Sequence, residues 1–373
     1  MTRLHDLYAE QGQSPWLDNI RRGWITSGEL ENWVTRGVRG LTSNPSIFQK
    51  AIQGSEEYDA EFTGAIQGGL DVEASYWQLV TSDIRAALDI LRPVYDESDG
   101  LDGYVSVEVD PGLARDSAGT ETAARALDDQ LTAPNLYVKI PATAEGLAPI
   151  QQMIAEGRSI NVTLIFSLRR YAEVMEAYIA GLERAEGDLS DISSVASFFI
   201  SRVDVEVDRR LDEIGTDEAL ALRGKAAVAN GKLAYAAFLE TFSGPRWEAL
   251  VARGARVQRP LWASTSTKNP DYPDTLYVDE LIGPDTVNTL PDNTLEAFED
   301  RGTIARTIDA GVDESRSVMA GLAGVGIDID EVTQLLEDEG VAAFEKSFDE
   351  LLTALATKAD ALTTDALNAD GDR

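Results

Sequence analysis

A chain of 373 residues, 43% hydrophobic and 26% charged, carries enough apolar side chain to bury a large core, as one α/β barrel or as two ordinary domains. With 65 acidic against 32 basic residues its formal charge is -33, which disfavours long-range attraction to nucleic acid or to an anionic membrane. There is no cysteine, so a disulfide framework and a thiolate metal site are excluded, and a reducing compartment, the cytoplasm, is expected.

The opening stretch MTRLHDLYAEQGQSPW lacks the apolar middle of a secretory signal, and no run of about 18 apolar residues follows to span a bilayer. The single histidine, His5, lies in this amphipathic stretch and is expected at the surface. Period and punctuation then give eight short β runs in alternation with helices: Pro15 to Asn19, Val38 to Thr42, Tyr104 to Val109, Leu136 to Ile140, Ile160 to Phe166, Val195 to Ser201, Arg259 to Ala263 and Thr286 to Thr289. Helical patterns fill Glu73 to Leu91, Leu168 to Ala185 and Thr294 to Ala310. A helical insert is expected from Phe48 to Leu70, and two helices joined near Gly215 from Val203 to Arg256. Eight alternations with no internal repeat or linker predict an α/β fold, a single (β/α)8 TIM barrel with extra helices over residues 1–358. Residues 359–373, poor in large apolar side chains, are expected to fray.

Side chains alternate along a strand, so parity sorts each run into two faces. In YVSVEVD, Val105, Val107 and Val109 oppose Tyr104, Ser106 and Glu108. In LYVKI, Leu136, Val138 and Ile140 oppose Tyr137 and Lys139. In SINVTLIF, Ile160, Val162 and Leu164 oppose Asn161, Thr163 and Ile165. The outside of a parallel barrel packs on helices and takes the apolar face, which points the polar set inward. An unpaired buried polar group costs about 1–3 kcal/mol and a lone charge more, so these residues pair with one another or serve a reaction. Glu108 and Lys139, on neighbouring strands, fit a structural ion pair. Lys139 equally fits an imine-forming lysine, because burial can depress an ammonium pKa and the free amine attacks ketones. Asn161 and Thr163 on the next strand favour the second reading, since an ion pair alone needs neither.

In order and spacing, GLTSNPSIF (40–48), YVSVEVDPG (104–112), LYVKIPATAEG (136–146), INVTLIFS (160–167) and ASFFISRVD (196–204) resemble the signature segments of the transaldolase family; WLDN (16–19) and WASTSTKNP (262–270) extend the likeness. The length and the long insert before the seventh strand are similar to its longer, single-domain bacterial form. The resemblance implies a (β/α)8 enzyme of the pentose phosphate pathway that moves a dihydroxyacetone unit between sugar phosphates, without metal or organic cofactor; a monomer or homodimer is expected. It implies that Lys139 forms the Schiff base, that Asp18 is the acid/base group, and that Glu108 and Thr163 position and activate a water. Asn44 and Asn161 are implied to hold the hydroxyls of the three-carbon unit, with Ser197 and Phe199 lining the same pocket. Arg202 is implied to bind phosphate, helped by Ser264 and by Lys268, which stands where many members have arginine.

Plainer roles exist for several of these residues. TSNPS is a common turn signal, Asp18 fits a helix N-cap, and Arg202 fits a pair with Asp204 or Glu206. No His/Asp cluster has metal-ligand spacing and no glycine-rich nucleotide loop is present, so no metal and no nucleotide cofactor is expected. Two rival functions are an aldolase of the same fold, which protonates the enamine instead of transferring it, and a silent sugar-phosphate-binding relative.

Overall fold

Eight parallel strands hydrogen-bond in chain order and close on themselves: β1 Gln13–Leu17, β2 Leu41–Thr42, β3 Val105–Glu108, β4 Leu136–Pro141, β5 Ile160–Ile165, β6 Ser194–Phe199, β7 Arg259–Ala263 and β8 Thr286–Leu290. The structure, a computed structural model, describes residues 2–371, with side chains through residue 362. All eight expected strands are present, and the barrel is the α/β fold expected of them. Among the described residues no helix is long and apolar enough to cross a membrane.

Register confirms the parity reading where it matters most. Glu108 pairs with Lys139, and Lys139 with Asn161, so three inward polar side chains lie side by side. The alternation fails after Thr163. A register shift separates Val162 from Ile165, and Leu164 sits at a φ of 59°, a left-handed conformation that costs a non-glycine residue about 1–2 kcal/mol. Leu164 therefore does not continue the outer row of Ile160 and Val162; it packs beside Gly340, on a C-terminal helix that crosses the mouth of the barrel.

The floor of the barrel is tied by charge. Asp102 accepts from Ser14 (2.8 Å) and Arg39 (2.6 Å) and pairs with Arg259 (3.0 Å). Burial pushes its carboxyl up, but the two guanidiniums outweigh that and hold it below the ordinary range. Above it Tyr104 and Tyr137 stack at 4.0 Å, with Trp16 beside them. Gly40 enters β2 without a side chain because a Cβ there would lie 2.4 Å from the Trp16 ring.

The helices differ from expectation in places. The helix expected over Glu73 to Leu91 is longer, Val72–Glu97, and runs through Pro93. The expected helix to Ala310 is Asp292–Arg301: at Gly302 the chain turns extended, and Thr307 and Ile308 instead donate to Ile282 O. The insert before β7 does break at Gly215, in a left-handed cap, but holds Ser201–Ile214, Asp217–Leu220, Ala226–Thr241 and Gly244–Val251 rather than two helices. Pro45–Gln53 and Asp59–Gln67 form the insert after β2. His5 is half-buried and its ring accepts from the Thr2 backbone, closing the first helix. The C-terminal helix spans Ile329–Gly371, through most of the segment expected to fray; Asp372 and Arg373 lie outside the described residues.

Candidate active site

At the carboxyl ends of the strands lies a cavity of about 160 Å³ lined by Asp18, Thr42, Asn44, Lys139, Thr163, Ser197, Phe199, Arg202, Ser264 and Lys268, among others. This is the end of a parallel barrel at which side chains from several strands converge on one space. It opens into a wider vestibule of about 700 Å³ that shares Asp18, Asn44, Arg202 and Lys268.

Lys139 is 4% exposed and Glu108 5%. The Lys139 Nζ lies 3.1 Å from Glu108 Oε2 and donates to Ser43 O at 2.9 Å. Glu108 Oε1 and Thr163 Oγ1 are both buried with no hydrogen-bond partner among the described residues. Burial raises the Glu108 carboxyl above its ordinary value, against the pull of Lys139. The Glu108 carboxyl thus stands within proton-transfer reach of the Lys139 amine.

Asp18 follows β1, and its carboxylate accepts from Thr42 at 2.7 Å; Thr42 also bonds Thr289 at 2.6 Å. It caps no helix, since the next one begins at Arg22 with Arg21 as its cap. Burial raises its pKa, opposed by the Thr42 hydrogen bond and then by the Lys139 charge. Asn44 does cap helix Pro45–Gln53, accepting from Ile47 N at 3.0 Å with Pro45 in the first turn, so the turn reading of TSNPS is correct. The same residue lines the cavity. Asn161 donates to Ser106 at 3.0 Å and accepts from Ser197 at 2.7 Å, which fixes its amide.

The anion-binding candidates sit at the cavity's edge. Arg202 pairs with neither Asp204 nor Glu206: Asp204 accepts from Tyr277 and Glu206 holds Arg209 and Arg210. Its guanidinium lies 5.4 Å from the Phe199 ring, and burial lowers its pKa. Ser264 takes a φ of 55° and shares a 2.9 Å hydrogen bond with Ser201. Lys268 donates to Ser266 at 2.5 Å; burial, then the charges of Arg202 and Lys50, lower its pKa. Neither cation forms a salt bridge with a carboxylate among the described residues, although the charges of Glu339 and Asp18 act on Arg202 and Lys268 respectively and favour their protonated forms. Two cations side by side at the edge of a cavity are arranged for an anion.

Every residue expected at the site is thus within or beside one cavity. Thr42, Thr289, Ser266 and Phe344 line it too and escaped sequence reasoning. Thr42 stood inside a quoted motif; its partner Asp18 is brought near only by strand pairing. Phe344 comes from the C-terminal helix, for which the motifs carried no signal.

The sequence pattern of Transaldolase/Fructose-6-phosphate aldolase matches residues 15–355. The chain is 52% identical to "Transaldolase" of Thermobifida fusca over 360 residues, 95% of this chain and 98% of that one. It is 53% identical to "Transaldolase" of Mycolicibacterium smegmatis over 355 residues, 94% and 96% of the two chains. It is 52% identical to "Transaldolase 1" of Streptomyces avermitilis over 354 residues, 94% of each. With the match running from β1 into the C-terminal helix, the chain belongs to the transaldolase/fructose-6-phosphate aldolase family.

Proposed function

We propose that this chain acts as a transaldolase, moving a dihydroxyacetone unit reversibly between sugar phosphates through an imine on Lys139. The observation that carries the reading is the Lys139 amine 3.1 Å from a buried carboxyl, in a cavity that also holds a second carboxyl, Asp18, and an anion site at its rim.

Glu108 takes a proton from the Lys139 ammonium, and the free amine adds to C2 of a ketose phosphate such as fructose 6-phosphate. Glu108 returns the proton, through a water held with Thr163, to the carbinolamine hydroxyl, which leaves as water and gives the iminium. Asn44, Asn161 and Ser197 hold the hydroxyls of the first three carbons, and Arg202, Ser264 and Lys268 hold the phosphate. Asp18, as carboxylate, takes the proton of the C4 hydroxyl. The C3–C4 bond breaks, its electrons neutralise the iminium as an enamine, and glyceraldehyde 3-phosphate departs. The enamine attacks the aldehyde carbon of erythrose 4-phosphate, Asp18 gives its proton to the new alkoxide, and hydrolysis of the iminium releases sedoheptulose 7-phosphate. Transfer rather than aldol cleavage requires that water not protonate the enamine, and Phe199 and Phe344 give the cavity apolar walls. The expected setting is the cytoplasm, where sugar phosphates are retained.

Borohydride reduction in the presence of fructose 6-phosphate, followed by peptide mass mapping, should leave a sugar-derived adduct on the peptide containing Lys139. Lys139→Ala should fold and lose at least about a thousandfold in transfer rate, about 4 kcal/mol in barrier. No adduct on the folded protein, or near-normal transfer by the variant, overturns the mechanism. Release of glyceraldehyde 3-phosphate at full rate without an acceptor would make it an aldolase instead.

A further inference from the structure

Lys50 lies on helix Pro45–Gln53, whose Ser46, Ile47, Lys50 and Ala51 form one face toward the vestibule, with the capping Gly54 beyond them. Ser46 also lines the inner cavity; Lys50, four residues on, stands about 6 Å farther along the helix and lines only the vestibule. Arg202 and Lys268 line both spaces. The three cations therefore stand in two tiers: Arg202 and Lys268 at the boundary, Lys50 outside it. Lys50 is exposed and has neither an ion-pair nor a side-chain hydrogen-bond partner among the described residues, in a chain with 65 acidic side chains available to pair with it.

The chemistry requires more than one position for phosphate. Both ketose donors are fixed at C2 on the same lysine, but one carries its phosphate on C6 and the other on C7. The longer donor places its phosphate up to about 1.5 Å farther out, one carbon–carbon bond, which is the difference between a hydrogen bond and none. We propose that Lys50 is a specificity-determining residue that engages the phosphate of the seven-carbon ketose and not that of the six-carbon one. This rests on the transaldolase reading of the site. A lysine suits the task, as a point charge on a flexible stem follows a moving phosphate where a planar guanidinium fork would not. By reversibility the same residue recognises the four-carbon acceptor, whose addition produces the seven-carbon ketose.

The test compares Lys50→Met (K50M) with the wild type, using sedoheptulose 7-phosphate and fructose 6-phosphate as donors. The expected result is a five- to twentyfold rise in KM for the seven-carbon donor and for erythrose 4-phosphate as acceptor, with kcat kept. KM for fructose 6-phosphate and for glyceraldehyde 3-phosphate should change less than twofold. Equal rises for both chain lengths would reduce Lys50 to general attraction, and no change would leave it without a role; either overturns the proposal. Arg202→Gln, run alongside, should raise KM for both donors. A wild-type protein that turns over neither donor would instead refute the transaldolase reading, so the two failures are distinguishable.

Discussion

Asp18 is a carboxyl in a place that penalises charge, and the reaction needs it charged. Burial raises its pKa while the Thr42 hydroxyl, donating at 2.7 Å, favours the carboxylate. The proposed cleavage step uses the carboxylate, so kcat/KM should fall on the acid side at a pH above the ordinary carboxylate range. Thr42→Val removes the donor at nearly constant shape and should move that limb to higher pH. At acid pH the variant should lose about tenfold more activity than on its alkaline plateau. That is about 1.4 kcal/mol, near the lower bound for a hydrogen bond to a charged group. A profile that keeps the wild-type limb would mean the group titrating there is not Asp18. Lys139, Glu108, Asn161 and Thr163 were legible beforehand because alternation is local and the barrel makes inward polar residues meet. Thr42 was not, because β2 is only two residues long and offers no alternation to read, and its partner Asp18 lies just beyond the end of β1. Leu164 was misread because INVTLIF alternates normally and nothing local announces the register shift.

Element by element, the rim shows how two cations from distant stretches are held together. Arg202 begins helix Ser201–Ile214, and Lys268 rides the loop after β7. That loop is fastened to the helix by Tyr272, which donates to Asp208 at 2.6 Å, and by the following Tyr277, which donates to Asp204 at 2.9 Å. Ser201 and Ser264 add a third tie at the helix start. Tyr272→Phe cuts one of these without touching substrate. A lost hydrogen bond to a carboxylate, worth about 1.5–3 kcal/mol, then falls on the position of Lys268. KM should rise about five- to tenfold for both ketose donors alike, with kcat unchanged. That pattern separates a positioning residue from the chain-length effect expected at Lys50. A fall in kcat with KM intact would place the role of Tyr272 elsewhere. The strands on which this rim is mounted were all found by period and punctuation, whereas the ends of helices were decided by contacts no window reveals. Pro93 is accommodated inside a long helix, and Gly302 ends one early.

The whole molecule carries a formal charge of -33 and is proposed to act on phosphate anions, so its far field and its site oppose each other. Ionic strength decides which of them an approaching substrate meets. At about 0.01 M salt the screening length is about 30 Å, and the acidic surface as a whole repels a phosphate. At about 0.1 M it shrinks to about 10 Å, so that near the mouth the local cations, Arg202, Lys268 and Lys50, dominate. Screening therefore removes repulsion before it removes attraction. For an enzyme whose positive site is set in a neutral or basic surface, kcat/KM toward a phosphate falls from the lowest salt upward. Here it should rise about two- to fivefold between 0.01 and 0.1 M sodium chloride, and fall only at higher salt as the direct phosphate contacts weaken. A kcat/KM that declines monotonically from 0.01 M would show that the acidic surface is already neutralised by bound counterions, and that substrates meet only the rim.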